Sequence, residues 1–138
     1  MFVYLLCFAF FNALNGVVMI IAPEFWYLIT PGASETGPLN EHFVRDIGIA
    51  FVVAGIGLWL GVSQLRGASF VTAVIAMLFI TGHGLLHLVE MITMAAALEA
   101  VLRDFVLVVL PVLVAIVCLL NLDRRTAAHK HNTHLEKQ

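Results

Sequence analysis

Apolar residues fill four stretches of this chain, at about 2–22, 41–62, 68–92 and 102–122, and polar residues collect between them. Each stretch is near the roughly 20 residues that a helix needs to cross a bilayer. The first ends at Pro23. Pro23–Thr30 is too short to span, and its Phe25-Trp26-Tyr27 row suits a short interfacial helix with proline in the first turn. Pro31-Gly-Ala-Ser-Glu-Thr-Gly-Pro38 reads as loop. Asn40 is the expected N-cap of the second span, with Glu41 in its first turn. Gly48, Ala54, Gly55, Gly57 and Gly61 then form a small-residue surface, the kind through which helices approach closely in lipid. Asn12 and Asn15 interrupt the first span and predict a face turned into the bundle, with partners across helices. Ser63–Gly67 is a short connection, Met91–Ala100 either extends the third span or folds back, and Pro111 predicts a kink in the fourth. The predicted fold class is all-α: one integral-membrane four-helix bundle over 1–125, followed by a polar, partly disordered tail over 126–138.

Composition strengthens this reading. Of 138 residues, 62% are hydrophobic and 12% charged, with a mean hydropathy of +1.01. A soluble domain of this size has too few polar groups to cover such a chain. A net charge of −2 and the lack of a basic patch argue against nucleic-acid binding. The N-terminal stretch has no positive n-region and no good cleavage site, so it reads as a retained helix rather than a secretory signal. Cys7 and Cys118 fall inside apolar runs in the same predicted leaflet and read as packing thiols.

Charge asymmetry predicts orientation. Arg66 lies between spans two and three, and Arg124, Arg125, Lys130 and Lys137 follow span four. The other connections carry Glu24, Glu35, Glu41 and Glu99, with Arg45 and Arg103 at helix starts. The positive-inside rule therefore puts both termini and the Arg66 connection in the cytoplasm. His42, Arg45, Asp46, His83, His87, Glu90, Arg103 and Asp104 then share the outer half, facing the periplasm or the cell exterior.

That half holds the candidate chemistry. His83, His87 and Glu90 are spaced i, i+4, i+7, one face of a helix. His42 and Asp46 form a second i, i+4 pair. Two facing helices, each offering such a pair, can surround an ion, and imidazole with carboxylate suits copper, zinc or iron. The expected metal ligands are therefore His42, Asp46, His83, His87 and Glu90; Arg45, Glu90 and Asn15 are the expected cofactor contacts. Glu90 could equally fix a histidine tautomer from outside the first shell. Haem or quinone ranks below a simple ion. Gly84 after His83 breaks the zinc-protease pattern, and no Gly-x-Ser-x-Gly elbow occurs. The structural alternative is polar glue, but a buried interhelical hydrogen bond contributes about 0.6 kcal/mol, against roughly 2.5–3.5 for a charge at mid-membrane. The His129-Lys-His-Asn-Thr-His134 tract is a loose metal-binding pattern that reads better as a solvated tail.

Asn40-Glu-His-Phe-Val-Arg-Asp-Ile-Gly48 and His83-Gly-Leu-Leu-His87 resemble signatures of small bacterial four-helix inner-membrane proteins and, more distantly, DoxX-like proteins. That resemblance implies quinone-linked oxidation or association with partner redox enzymes, without assigning residues. Three functional expectations stand: a periplasm-facing pocket for a metal ion or redox cofactor, extending to quinone-linked chemistry; a non-enzymatic accessory subunit of a larger membrane complex or homo-oligomer; and a small transporter, disfavoured by the lack of an inverted repeat.

Overall fold

The computed structural model of the chain describes residues 1–64, 68–93 and 97–135, with no strand among them. The connection bearing Arg66, the segment 94–96 and residues 136–138 lie outside the described residues, as do the side chains of the His129–His134 tract. Helix α1 spans Phe2–Ile21, α2 Pro23–Ile29, α3 Glu41–Gln64, α4 Ala68–Thr93, α5 Leu98–Asp104 and α6 Leu110–Leu135. A 3₁₀ turn at Ala33–Glu35 and a π turn at Phe105–Val109 complete the order. Four segments are long and apolar enough to cross a membrane: Phe2–Ile21, Glu41–Ser63, Phe70–Thr93 and Leu98–Leu122. The protein is a multi-pass membrane bundle. Large apolar side chains such as Phe10, Leu14, Val53, Ile75, Leu78, Leu113 and Val117 point outward, a surface that water would penalise and lipid accepts.

The local sequence explains where the elements start and stop. Ala22 leaves helical geometry at φ −137°, and Pro23 opens α2, where its missing N–H costs nothing. The Trp26 Nε1–H donates to Asn15 Oδ1 at 2.9 Å, folding α2 back onto α1. The Tyr27 hydroxyl donates to the Gly37 carbonyl at 2.6 Å and pins the loop that follows. Asn40 caps α3 as expected, its Oδ1 accepting from the Phe43 N–H at 3.1 Å.

Two expectations need correction here. The fourth span begins at Leu98, not near 102, because Leu98, Glu99, Ala100 and Leu102 favour helix and no proline or glycine stands between Leu98 and the charged pair. The apolar span ends at Leu122 as expected, but the helical backbone of α6 continues through Leu135 into the tail expected to be partly disordered; no proline or glycine interrupts 123–135. Ahead of Pro111, the helix widens into the π turn, which lets the chain pass a residue that cannot donate to the preceding turn. The Tyr4 hydroxyl donates to the Pro111 carbonyl at 2.8 Å, tying α1 to α6 at this irregularity.

Packing is tightest where α3 lies between α1 and α4; α6 closes the bundle more sparsely against α1 and α4. The main core joins Leu5, Ala9, Leu58, Val62, Met77, Ile80, Ala115 and Leu119. A smaller cluster of Met19, Val44 and Phe51 sits nearer the loop end, beneath Trp26. Along α1 and α3 the backbones nearly touch. A Cβ on Gly16 would lie 2.8 Å from the Val52 nitrogen, and one on Gly55 would lie 2.6 Å from the Ala13 nitrogen. Of the small-residue surface of the second span, Gly48 and Gly55 form the α1–α3 seam, while Gly57 faces Ala76 of α4.

Candidate functional site: a polar row between α4 and α5

The loop end of the bundle carries one connected set of ionisable side chains crossing between elements. His83 and His87, one turn apart on α4, have ring centroids 4.8 Å apart with planes at 75°. His83 also meets the edge of Phe51 from α3, at 5.1 Å and 83°. His87 Nδ1 lies 3.4 Å from Asp104 Oδ2, joining α4 to α5. The other carboxylate oxygen, Oδ1, accepts from Arg103 Nε at 2.8 Å. The Arg103 guanidinium then reaches the loop, donating from Nη1 to Glu35 Oε1 at 2.9 Å. His87, Asp104 and Arg103 have side chains 25%, 22% and 22% exposed, so the row is largely covered by protein; Glu35, at 62%, is its wet end.

The hydrogen bonds define what the histidines can offer. An ionised carboxylate only accepts, so the Nδ1 that faces Asp104 carries the proton when His87 is neutral. Nε2 of His87 is then left as an acceptor, oriented by a carboxylate in the manner that prepares imidazoles for proton transfer. His83 has ring contacts but makes no hydrogen bond to another described residue. Arg103 supplies one positive charge between the two negative charges of Asp104 and Glu35.

The expected site residues divide. His83 and His87 come together. His42 and Asp46 pair with each other at 3.4 Å, but their side chains are 89% and 56% exposed. Val44, Gly48 and Phe51 set the inward face of α3, and positions two residues from Val44 lie more than half a turn away. Arg45 is likewise outward and bonds Glu41 at 2.7 Å. Glu90 is half-buried without a hydrogen bond to another described residue. Asn15 is occupied by Trp26, and its amide nitrogen lies 3.6 Å from Met19 Sδ. Asn12, buried, turns back to the Phe8 carbonyl of its own helix at 2.8 Å. Asn15 thus finds its partner across helices, on α2, whereas Asn12 bonds within its own helix instead of across to another.

The five-ligand shell is not assembled: among the described residues no three His, Cys, Asp or Glu side chains gather as a metal ion would require. Asp104, Arg103 and Glu35 are the participants that residue spacing alone did not assign to the site. The charges of all three were visible in the sequence, and Arg103 and Asp104 were expected near the depth of the histidines, but the contact with Glu35 in the loop was not. Cys7, exposed, and Cys118, buried, are free thiols away from this row. Compared with protein-family models, curated proteins and solved structures, the chain matches none.

Proposed function

We propose that the His83–His87–Asp104 row receives the polar head of a lipid-soluble molecule of the quinol–quinone type and exchanges a proton with it, on the periplasmic side of a bacterial inner membrane. The observation that carries this reading is the interhelical contact of His87 Nδ1 with Asp104, which leaves Nε2 as the available acceptor inside a membrane span. A quinol hydroxyl needs only one such acceptor to bind, whereas a metal ion needs several converging donors. In quinol oxidation one hydroxyl proton would pass to Nε2, the imidazolium so formed would lie against the Asp104 carboxylate, and the proton of the second hydroxyl would leave to water. The electrons would leave to a redox protein in the same membrane, which gives the accessory-subunit reading a place within this one. His83, without a hydrogen-bonding partner among the described residues, is the second contact available to the head group.

Photolabelling tests the proposal. Purified protein in nanodiscs, illuminated with an azidoquinone, should label peptides of α4 and α5 saturably. Excess ubiquinol or menaquinol should compete, and His87→Phe should remove the labelling. Equal labelling of wild type and His87→Phe would overturn the reading. Metal analysis on the same samples, with His83→Ala/His87→Ala alongside, offers the contrary result. Stoichiometric copper, zinc or iron that disappears in the double variant would replace the quinol with an ion.

A further inference from the structure

The polar row continues beyond the histidines to a loop outside the spans, and each link in it is a specific atom pair. Arg103 and Asp104 are sequence neighbours on a helix, where adjacent side chains diverge by about 100°. Arg103 nonetheless turns back to grip Asp104 Oδ1 through Nε, and this leaves Oδ2 for His87. Its own direction is fixed from the other side. Nη1 bonds Glu35, and the guanidinium lies close against Gly32. Gly32 holds φ +86°, a left-handed conformation, and a Cβ there would sit 2.5 Å from Nη2 and 2.7 Å from Cζ. Glycine meets both demands at this position. The loop is itself anchored by the Tyr27–Gly37 bond.

We infer that Arg103 is a positioning residue for His87, and that the Gly32–Glu35 loop sets the tautomer of His87 through Arg103 and Asp104. The inference builds on the proton-exchange reading of His87, but its content is a statement about the unliganded protein. An Asp104 carboxylate held by Arg103 presents Oδ2 to Nδ1–H. A carboxylate released from Arg103 is free to rotate toward water, and neutral His87 then returns to the Nε2–H form that free imidazole prefers. In that form Nε2 is a donor, and the acceptor needed for a quinol hydroxyl is gone. The loop at the membrane surface thereby controls which way a proton can move at the site.

Nitrogen NMR of the full chain, labelled at histidine and held in nanodiscs at a pH where the imidazoles are neutral, reads the tautomer directly. His83→Gln and His87→Gln assign the signals. Wild type should show His87 as Nδ1–H. Arg103→Ala and Gly32→Ala should convert it to the Nε2–H pattern, Glu35→Gln should shift it part of the way, and Arg103→Lys should restore it only partly because an ammonium lacks the fork that reaches both carboxylates. The exposed His42 signal should stay fixed in every variant, which separates a local change from misfolding. Glu35 is exposed enough that Glu35→Gln tests the link even where Arg103→Ala fails to fold. An unchanged His87 pattern in both Arg103→Ala and Glu35→Gln overturns the inference. Because no quinone is present, that failure is distinct from a failure of the labelling experiment.

Discussion

The α1–α3 seam and the α4–α5 seam lie in the same bundle and are built on opposite terms. At the first, Gly16, Gly48 and Gly55 bring backbones together so closely that an added methyl group has no room. At the second, His87 and Asp104 meet through side chains at 3.4 Å, and α6 beyond them packs more sparsely. Lipid explains the contrast. Apolar burial gains little when the surrounding solvent is itself apolar, so a tight seam relies on van der Waals contact between small residues. A polar seam instead needs partners for every group it carries into the membrane. The first kind is rigid and chemically silent. The second keeps groups that can exchange protons, and among the described residues no fully buried side-chain polar atom lacks a partner.

The sharpest way to break the comparison sets a glycine of the tight seam against one on the open face of α4 beside the histidines. Gly16→Ala places a Cβ 2.8 Å from the Val52 nitrogen and 2.9 Å from the Phe51 Cβ, and backbone cannot move aside as a side-chain tip can. Overpacking of this kind costs about 1–3 kcal/mol. Gly82, one residue before His83, has nothing within 4 Å of the same added atom. Gly82→Ala should therefore be neutral or stabilise by up to about 1 kcal/mol, through helix propensity. Reversible unfolding in mixed detergent micelles would measure both. Equal destabilisation by the two substitutions would mean that close backbone contact is not what sets the α1–α3 seam apart.

Phe51 is where the two regions touch, and it supports a smaller effect. Its ring stands edge-on to Phe79 at 5.1 Å and to His83 at 5.1 Å, while its Cβ belongs to the Gly16 contact. Phe51→Leu keeps the Cβ and removes the ring, so the glycine seam should survive. The loss of edge-on contacts should cost on the order of 0.5–1.5 kcal/mol, and the His83 ring protons should shift as the Phe51 ring current disappears. A full-sized stability loss with unmoved His83 signals would mean that Phe51 serves the α1–α3 seam alone.

The sequence disclosed these regions unequally, for physical reasons. Span positions follow from apolar length, and Pro23 and Asn40 mark helix starts through backbone chemistry that is local. The direction in which a span faces is another matter. On α3 both the lipid side, with Ile49, Val53 and Ile56, and the core side, with Val44, Phe51 and Leu58, are apolar. No polar stripe marks the outside, so nothing in the pattern told that His42 and Asp46 turn away from His83. Arg103 and Glu35 were visible as charges, but they meet across 68 positions through a left-handed Gly32. That contact depends on a loop conformation that residue spacing does not encode. The His83–His87 face was legible because it needed only helix periodicity within one span.

The smallest expected effect concerns the interfacial helix. Asn15 is a polar group in a span that serves structure: it accepts the Trp26 Nε1–H at 2.9 Å and holds α2 against α1. Trp26→Phe retains an aromatic body at the interface while deleting the donor. Hydrogen bonds between membrane helices contribute about 0.6 kcal/mol on average, so unfolding should shift by about that much. The His87 tautomer should be unaffected, because the loop keeps its own anchor from Tyr27 to Gly37. If Trp26→Phe disturbs His87 as strongly as Glu35→Gln does, then α2 and the loop move as one piece, and the polar seam extends through the interfacial helix to the first span.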